Sequence, residues 1–292
     1  GIAREDILME ASGINLVVKF ANSTDQITVN NFFAAANFRI ETLKFNDGST
    51  ASINTSLTIN GGTGNDTIVG SPFADTLNGA GGNDYIYGSD GDDNINGGTG
   101  NDTLKGAGGN DIYNFDIGYG SDVIIEETGA GDKIVFGAGI TSAGVAMLRN
   151  ANDLRVIDQG NSDSILLNNF FANDSNRIEY IQFSDGSKFN LAGALSSEND
   201  STVYSVNGYA AVNEDVTSKI KLLNHNDSTN DYNNVSITGA AAHGNASVNA
   251  NGDIIYSSAS NYSGVDSFAI SYVDGGGITQ SKTINVDVLP AN

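Results

Sequence analysis

Six aspartates recur every nine residues: Asp66, Asp75, Asp84, Asp93, Asp102 and Asp111. Each closes a glycine-rich turn and precedes three residues with an apolar centre, Ile68, Leu77, Ile86, Ile95, Leu104 and Tyr113 in order. Glycine lets the turn backbone aim its carbonyls inward, so the pattern can assemble an all-oxygen, multidentate cage. That donor set suits Ca²⁺. Zn²⁺ and Cu²⁺ prefer His and Cys, and Mg²⁺ demands a tighter octahedron. The expected ligands are the six carboxylates with the backbone of Gly61, Gly62, Gly64, Gly79, Gly82, Gly88, Gly91, Gly97, Gly98, Gly100, Gly106 and Gly109.

Such a unit is a half-coil, a short strand followed by a turn, and two units complete one coil of a parallel β-roll. Asp66, Asp84 and Asp102 then stack on one edge, and Asp75, Asp93 and Asp111 on the other. Stacked strands sit about 4.7–4.9 Å apart, so these carboxylates repel one another unless a divalent cation lies between them. One buried aliphatic side chain per unit does not offset the backbone entropy lost in ordering so many glycines. The roll is expected to fold only with its cations. The strict phase of the units argues against a flexible Gly/Asn/Asp linker.

The unit resembles the nonapeptide of the RTX (repeats-in-toxin) family, Gly-Gly-x-Gly-x-Asp-x-apolar-x, a calcium-binding repeat. The second unit departs from it, with Ser71-Pro72-Phe73-Ala74 in place of the inner glycines. That departure puts a calcium site on Asp75 in question. Phe115 to Asp122 looks like the family's closing turn, which adds Asp122 as a ligand. The resemblance implies roughly three to five Ca²⁺ ions. It also implies type I secretion of an unfolded chain that folds outside the cell.

A second repeat brackets the first. Leu16, Ile27, Asn31-Phe32-Phe33, Arg39-Ile40-Glu41, Phe45 and Asp47-Gly48-Ser49 recur, at one constant separation, as Leu154, Ile165, Asn169-Phe170-Phe171, Arg177-Ile178-Glu179, Phe183 and Asp185-Gly186-Ser187. This block resembles the hairpin regions beside RTX arrays, and its expected role is to cap the open ends of the roll. The pairs Phe32-Phe33 and Phe170-Phe171, if exposed, leave glycan binding as an alternative.

Beyond the polar stretch Ser196 to Ser201, short alternating strands follow as in a Greek-key sandwich. The segments Ala211 to Asp215, Leu222 to Asp227, His243-Gly244, Asn261 to Phe268 and Tyr272 to Gly277 resemble cadherin-like tandem repeats of very large bacterial surface proteins. The resemblance makes Glu214, Asp215, Asp227, Asp266 and Asp274 calcium ligands; the alternative is that they are turn residues bonding backbone. His225 and His243 read as turn residues. The predicted chain is all-β: a cap over 1–57, the roll over 58–125, a second cap over 126–195, a linker over 196–202, and a cadherin-like sandwich over 203–292. Ala34-Ala35-Ala36 and Leu191 to Leu195 alone hint at helix.

Composition narrows the function classes. Asp plus Glu number 35 against 13 Lys plus Arg, a net charge of -22. Such a chain repels nucleic acid and anionic membranes. No apolar run spans a bilayer, no Cys offers a disulfide staple, and the chain starts at Gly1 without a leader, so both ends read as cuts through a longer polypeptide. HExxH, GxSxG and a cysteine nucleophile are absent. The expected function is non-catalytic: a calcium-stiffened structural and adhesive segment of a secreted bacterial surface protein, with cell-surface glycan or protein as possible partner. The alternatives are the secretion and folding appendage of an RTX protease, lipase or epimerase, and a glycan-binding module.

Overall fold

The computed structural model describes residues 7–12, 15–20, 24, 26–30, 42–44, 50–52, 56–129, 131–159, 163–172, 177–191, 202–206, 208–223 and 232–290. Strand dominates them, and a 3-10 turn occupies Ser142–Gly144. Among the described residues no helix is long and apolar enough to cross a membrane. The expected helices at Ala34 to Ala36 and beyond Leu191 lie outside the described residues. The chain divides into two compact units, residues 1–135 with 175–178, and residues 136–174 with 179–292.

In the first unit the nine-residue period becomes a parallel roll. Thr58–Asn60, Thr76–Asn78, Asn94–Asn96 and Ile112–Phe115 form one ladder. Thr67–Val69, Tyr85–Asp90, Thr103–Gly108 and Ser121–Ile125 form the other. The register stacks Ile59, Leu77, Ile95 and Tyr113 in one column, and Ile68, Ile86, Leu104 and Ile124 in the second. All eight are buried. A side chain points inward at the centre of each three-residue strand because its neighbours must point out.

The first rung is covered. Ile7–Ser12 and Asn15–Phe20 form an antiparallel hairpin, with Gln26–Val29 beside it. Ile7–Ser12 runs parallel to Thr58–Asn60 through the pair Glu10 and Asn60.

The second unit is a two-sheet sandwich. One sheet carries Gly244–Val248, Ile254–Ser258, Ser218–Leu223, Thr202–Val206, Val145–Asn150 and Asp153–Asp158 in that order, and the other Tyr209–Asn213, Thr279–Leu289, Gly264–Val273 and Asn233–Gly239. Two pairs are parallel: Thr202–Val206 with Ser218–Leu223, and Tyr209–Asn213 with Thr279–Leu289. Ala146, Leu148 and Ile157 share the core of Val203, Ile220, Phe268 and Ile284. The hairpin Val145–Asp158, which the sequence assigns to the flanking block, is thus built into the sandwich. Its inner face is apolar, and Val145–Asn150 pairs antiparallel with Thr202–Val206, so Thr202 opens a strand where the sequence places the linker's end.

Candidate metal centre

The turns at the two edges of the roll are tied by their aspartates. The Asp66 N–H donates to Asp84 Oδ1 at 2.7 Å, Asp84 N–H to Asp102 Oδ1 at 2.8 Å, and Asp102 N–H to Asp122 Oδ1 at 2.7 Å. On the other edge Leu57 N–H donates to Asp75, Asp75 to Asp93, Asp93 to Asp111, and Asp111 to Asp132. Each link spans one coil. All eight carboxylates are buried, and every one except Asp66 spends Oδ1 on the coil before it.

The second oxygen separates two kinds of turn. Asp66 Oδ2 accepts the N–H of Gly62, and Asp75 Oδ2 accepts that of Ser71, whose hydroxyl also donates to Asp75 Oδ1. Ser71 therefore takes up the carboxylate that the departing second unit presents. In the next four turns the residue at the same place, Ala80, Ser89, Gly98 or Ala107, has φ between 75° and 96°. L side chains resist this left-handed conformation, so Ala80, Ser89 and Ala107 each store roughly 1 kcal/mol or more, whereas Gly98 adopts it freely. The Oδ2 atoms of Asp84, Asp93, Asp102 and Asp111 are buried without a hydrogen-bond donor.

Glycine at the first place of each turn leaves the room. A Cβ on Gly79 would lie 2.2 Å from Asp84 Oδ2 and 2.4 Å from the Gly97 carbonyl oxygen; on Gly88 it would lie 2.1 Å from Asp93 Oδ2 and 2.8 Å from the Gly106 carbonyl oxygen. Carboxylate and carbonyl oxygens of successive coils thus converge on a cradle that a methyl group would fill. Gly82, Gly91, Gly100 and Gly109 have φ from 114° to 139° and press on the coil beneath; Gly64 is open.

Burial raises these carboxyl groups. Asp93 is pushed up to about 8, with the charges of Asp111 and Asp75 adding to it. Asp84 and Asp111 rise to about 6, and Asp102 rises too, in each case chiefly through desolvation. An anionic, all-oxygen, desolvated cradle lacking donors has the chemistry of a site for a hard divalent cation.

Elsewhere the predicted acids are scattered. Asp266 accepts the N–H groups of Ala242, His243 and Ser267 and the hydroxyl of Tyr256, and these bonds hold its carboxyl below the usual range despite burial. Asp274 accepts from Gly276, Ile278 and Gln280, closing a turn. Asp215 accepts the Asn261 N–H, while Glu214 donates its own N–H to the Leu289 carbonyl. Asp227 and His225 lie outside the described residues, as do Phe32 and Phe33. His243 stacks on Tyr262 at 4.3 Å between centroids. Phe170, expected at the surface, is fully buried, and Arg149 covers Phe171 with its guanidinium carbon 4.0 Å from the ring centroid. The apolar side of the Asn-Phe-Phe signature packs inward, so this pair is no exposed platform.

Two carboxylates went unnoticed in the sequence, Glu126 and Asp132. Gly129-Ala130-Gly131-Asp132 echoes the repeat one residue short, a signal the strict nine-residue frame hides.

Three protein-family descriptions match stretches of the chain. Residues 60–95 and 87–121 match the RTX calcium-binding nonapeptide repeat. Residues 15–55 and 153–192 match the haemolysin-type calcium binding protein related domain, and residues 199–287 match the bacterial Ig domain. No curated protein matches the chain. RTX repeats bind Ca²⁺, and the described geometry explains how. The chain thus contains a β-roll that matches RTX repeats, bracketed in sequence by two stretches that match the haemolysin-type related domain and followed by a stretch that matches a bacterial Ig domain.

Proposed function

We propose that the chain is a calcium-stiffened, non-catalytic segment of a secreted bacterial surface protein of the adhesin type. The carrying observation is the set of unpartnered Oδ2 atoms on Asp84, Asp93, Asp102 and Asp111. These residues, with the facing carbonyls of Gly97 and Gly106, would hold the ions; Asp75 has both oxygens engaged and Asp66 has Oδ2 engaged, so neither offers the same open oxygen. Calcium supplies positive charge that removes the repulsion between stacked carboxylates and joins one coil to the next. The glycines then supply space, and the aspartates orient through the N–H each accepts.

In this reading 58–125 is the roll, with its closing turn running on to Asp132; 1–57 and 126–195 flank it, and 203–292, joined by the hairpin Val145–Asp158 and by Thr202 at the end of the 196–202 linker, is the sandwich that spaces or presents it. Outside the cell, at millimolar calcium, the roll is rigid; at the low calcium of the cytoplasm it stays open and can be exported. The test is circular dichroism of the chain in excess EGTA and after Ca²⁺ is restored. The β signal of the roll should collapse in chelator and return with calcium. Spectra and melting temperature indifferent to chelator would end the proposal.

A further inference from the structure

The last turn of the roll differs from the rungs before it. Asp111, Glu126 and Asp132 each bring one carboxylate oxygen to within 4.8 Å of the other two, and all three side chains are buried. Asp132 comes from the shortened repeat and Glu126 from the segment after Ser121–Ile125. Asp111 Oδ2 and Glu126 Oε2 have no donor, and Glu126 is 3% exposed. The other oxygen of Glu126 accepts the hydroxyl of Tyr113, which in turn accepts the Gly106 N–H at 2.7 Å. Tyr113 stands in the column otherwise filled by Ile59, Leu77 and Ile95. Its phenol therefore passes through the core to hold a carboxylate that no nonapeptide supplies.

We propose that Asp111, Glu126 and Asp132 form a separate cation site, with three carboxylates where a nonapeptide rung has two, roofed by the Tyr113 hydroxyl. Three carboxyl groups packed this closely in buried surroundings must either hold protons or share a cation, and one of charge two or more neutralises them best. The higher ligand charge favours tighter binding of Ca²⁺ than at a rung, and still tighter binding of a trivalent ion of similar size. The site shares Asp111 with the last rung and rests on the reading of the roll as a cation binder to that extent; it needs no other rung.

The chain has no Trp, so terbium bound here is sensitised by tyrosine, and Tyr113 touches a ligand directly. Titration of the full chain with Tb³⁺ should show a tight component of sensitised emission. E126Q should weaken that component roughly tenfold or more and leave about one fewer Ca²⁺ per chain by equilibrium dialysis. Y113F should remove the same emission component, which tests the site even if E126Q folds poorly. D84N serves as the rung control and should lower the calcium count without touching the Tyr113-dependent emission. If D84N loses calcium but E126Q and Y113F leave both readings unchanged, the three-carboxylate site is wrong and the roll reading stands. If the native chain binds no Ca²⁺ or Tb³⁺, both fail together.

Discussion

Asp102 accepts the N–H of Asp84 through Oδ1 at 2.8 Å, while its own Oδ2 is buried with no donor. One carboxylate thus joins two coils and still leaves an anionic oxygen idle in a dry turn. A buried unpaired oxygen costs free energy, and the left-handed Gly98 turns away the N–H that could have served as its donor. The arrangement is stable only when something positive takes the place of the missing donor.

The two turn types predict unequal aspartates. Asp93→Asn should raise the calcium concentration at half-folding by roughly tenfold, because it removes ligand charge from an open turn. Asp75→Asn should leave that midpoint within about twofold, since Ser71 already holds the native carboxylate. Calcium titrations followed by circular dichroism compare them, and equal shifts would remove the distinction.

Glycines should differ by place. Gly88→Ala drives a Cβ against Asp93 Oδ2 at 2.1 Å and the Gly106 carbonyl, at a cost of about 1–3 kcal/mol. Gly64→Ala meets nothing within 4 Å and should change stability by no more than about 0.5 kcal/mol. Denaturant unfolding in saturating calcium measures both, and a Gly64→Ala loss matching Gly88→Ala would contradict the cradle.

Protons and calcium compete for the same oxygens. Asp93 near 8 and Asp84 and Asp111 near 6 lie above the ordinary carboxylate value in the folded coil. Their contribution to the metal-free fold is therefore full below about pH 4 and is lost as pH rises through about 6 and then 8. In chelator the β signal should be greater at about pH 5 than at about pH 9, and the calcium midpoint should fall as pH rises. A metal-free fold that strengthens with pH would reverse the sign and refute this account.

In the sandwich Asp266 is an anchor. Asp266→Ala strips the acceptor from three N–H groups and the Tyr256 hydroxyl, which should cost about 1–3 kcal/mol. The number of Ca²⁺ ions bound should not change. Thermal unfolding and dialysis read the two effects separately, and a lost ion would make Asp266 a ligand after all.

Much of the roll was legible before any coordinates. A period of nine with one apolar centre permits little besides parallel half-coils, so the columns Ile59–Leu77–Ile95 and Ile68–Ile86–Leu104 could be read by counting. The ladder of aspartates followed from the same phase. Glu126 and Asp132 could not be read this way, because the closing coil breaks the period and their approach to Asp111 depends on how it turns back. Asp266 looked like the other acids of its region, and only its neighbours Ala242, His243 and Tyr256 distinguish an anchor from an open carboxylate.

By itself the sequence determined the repeat, its phase and the oxygen-rich chemistry of its turns, because these are local and set by spacing. Tertiary structure decided which carboxylates stay unsatisfied, where three of them meet, and that the hairpin Val145–Asp158 belongs to the sandwich core. The reason is physical: whether an oxygen finds a donor, or an apolar face a partner, depends on residues far away in the chain that folding brings alongside.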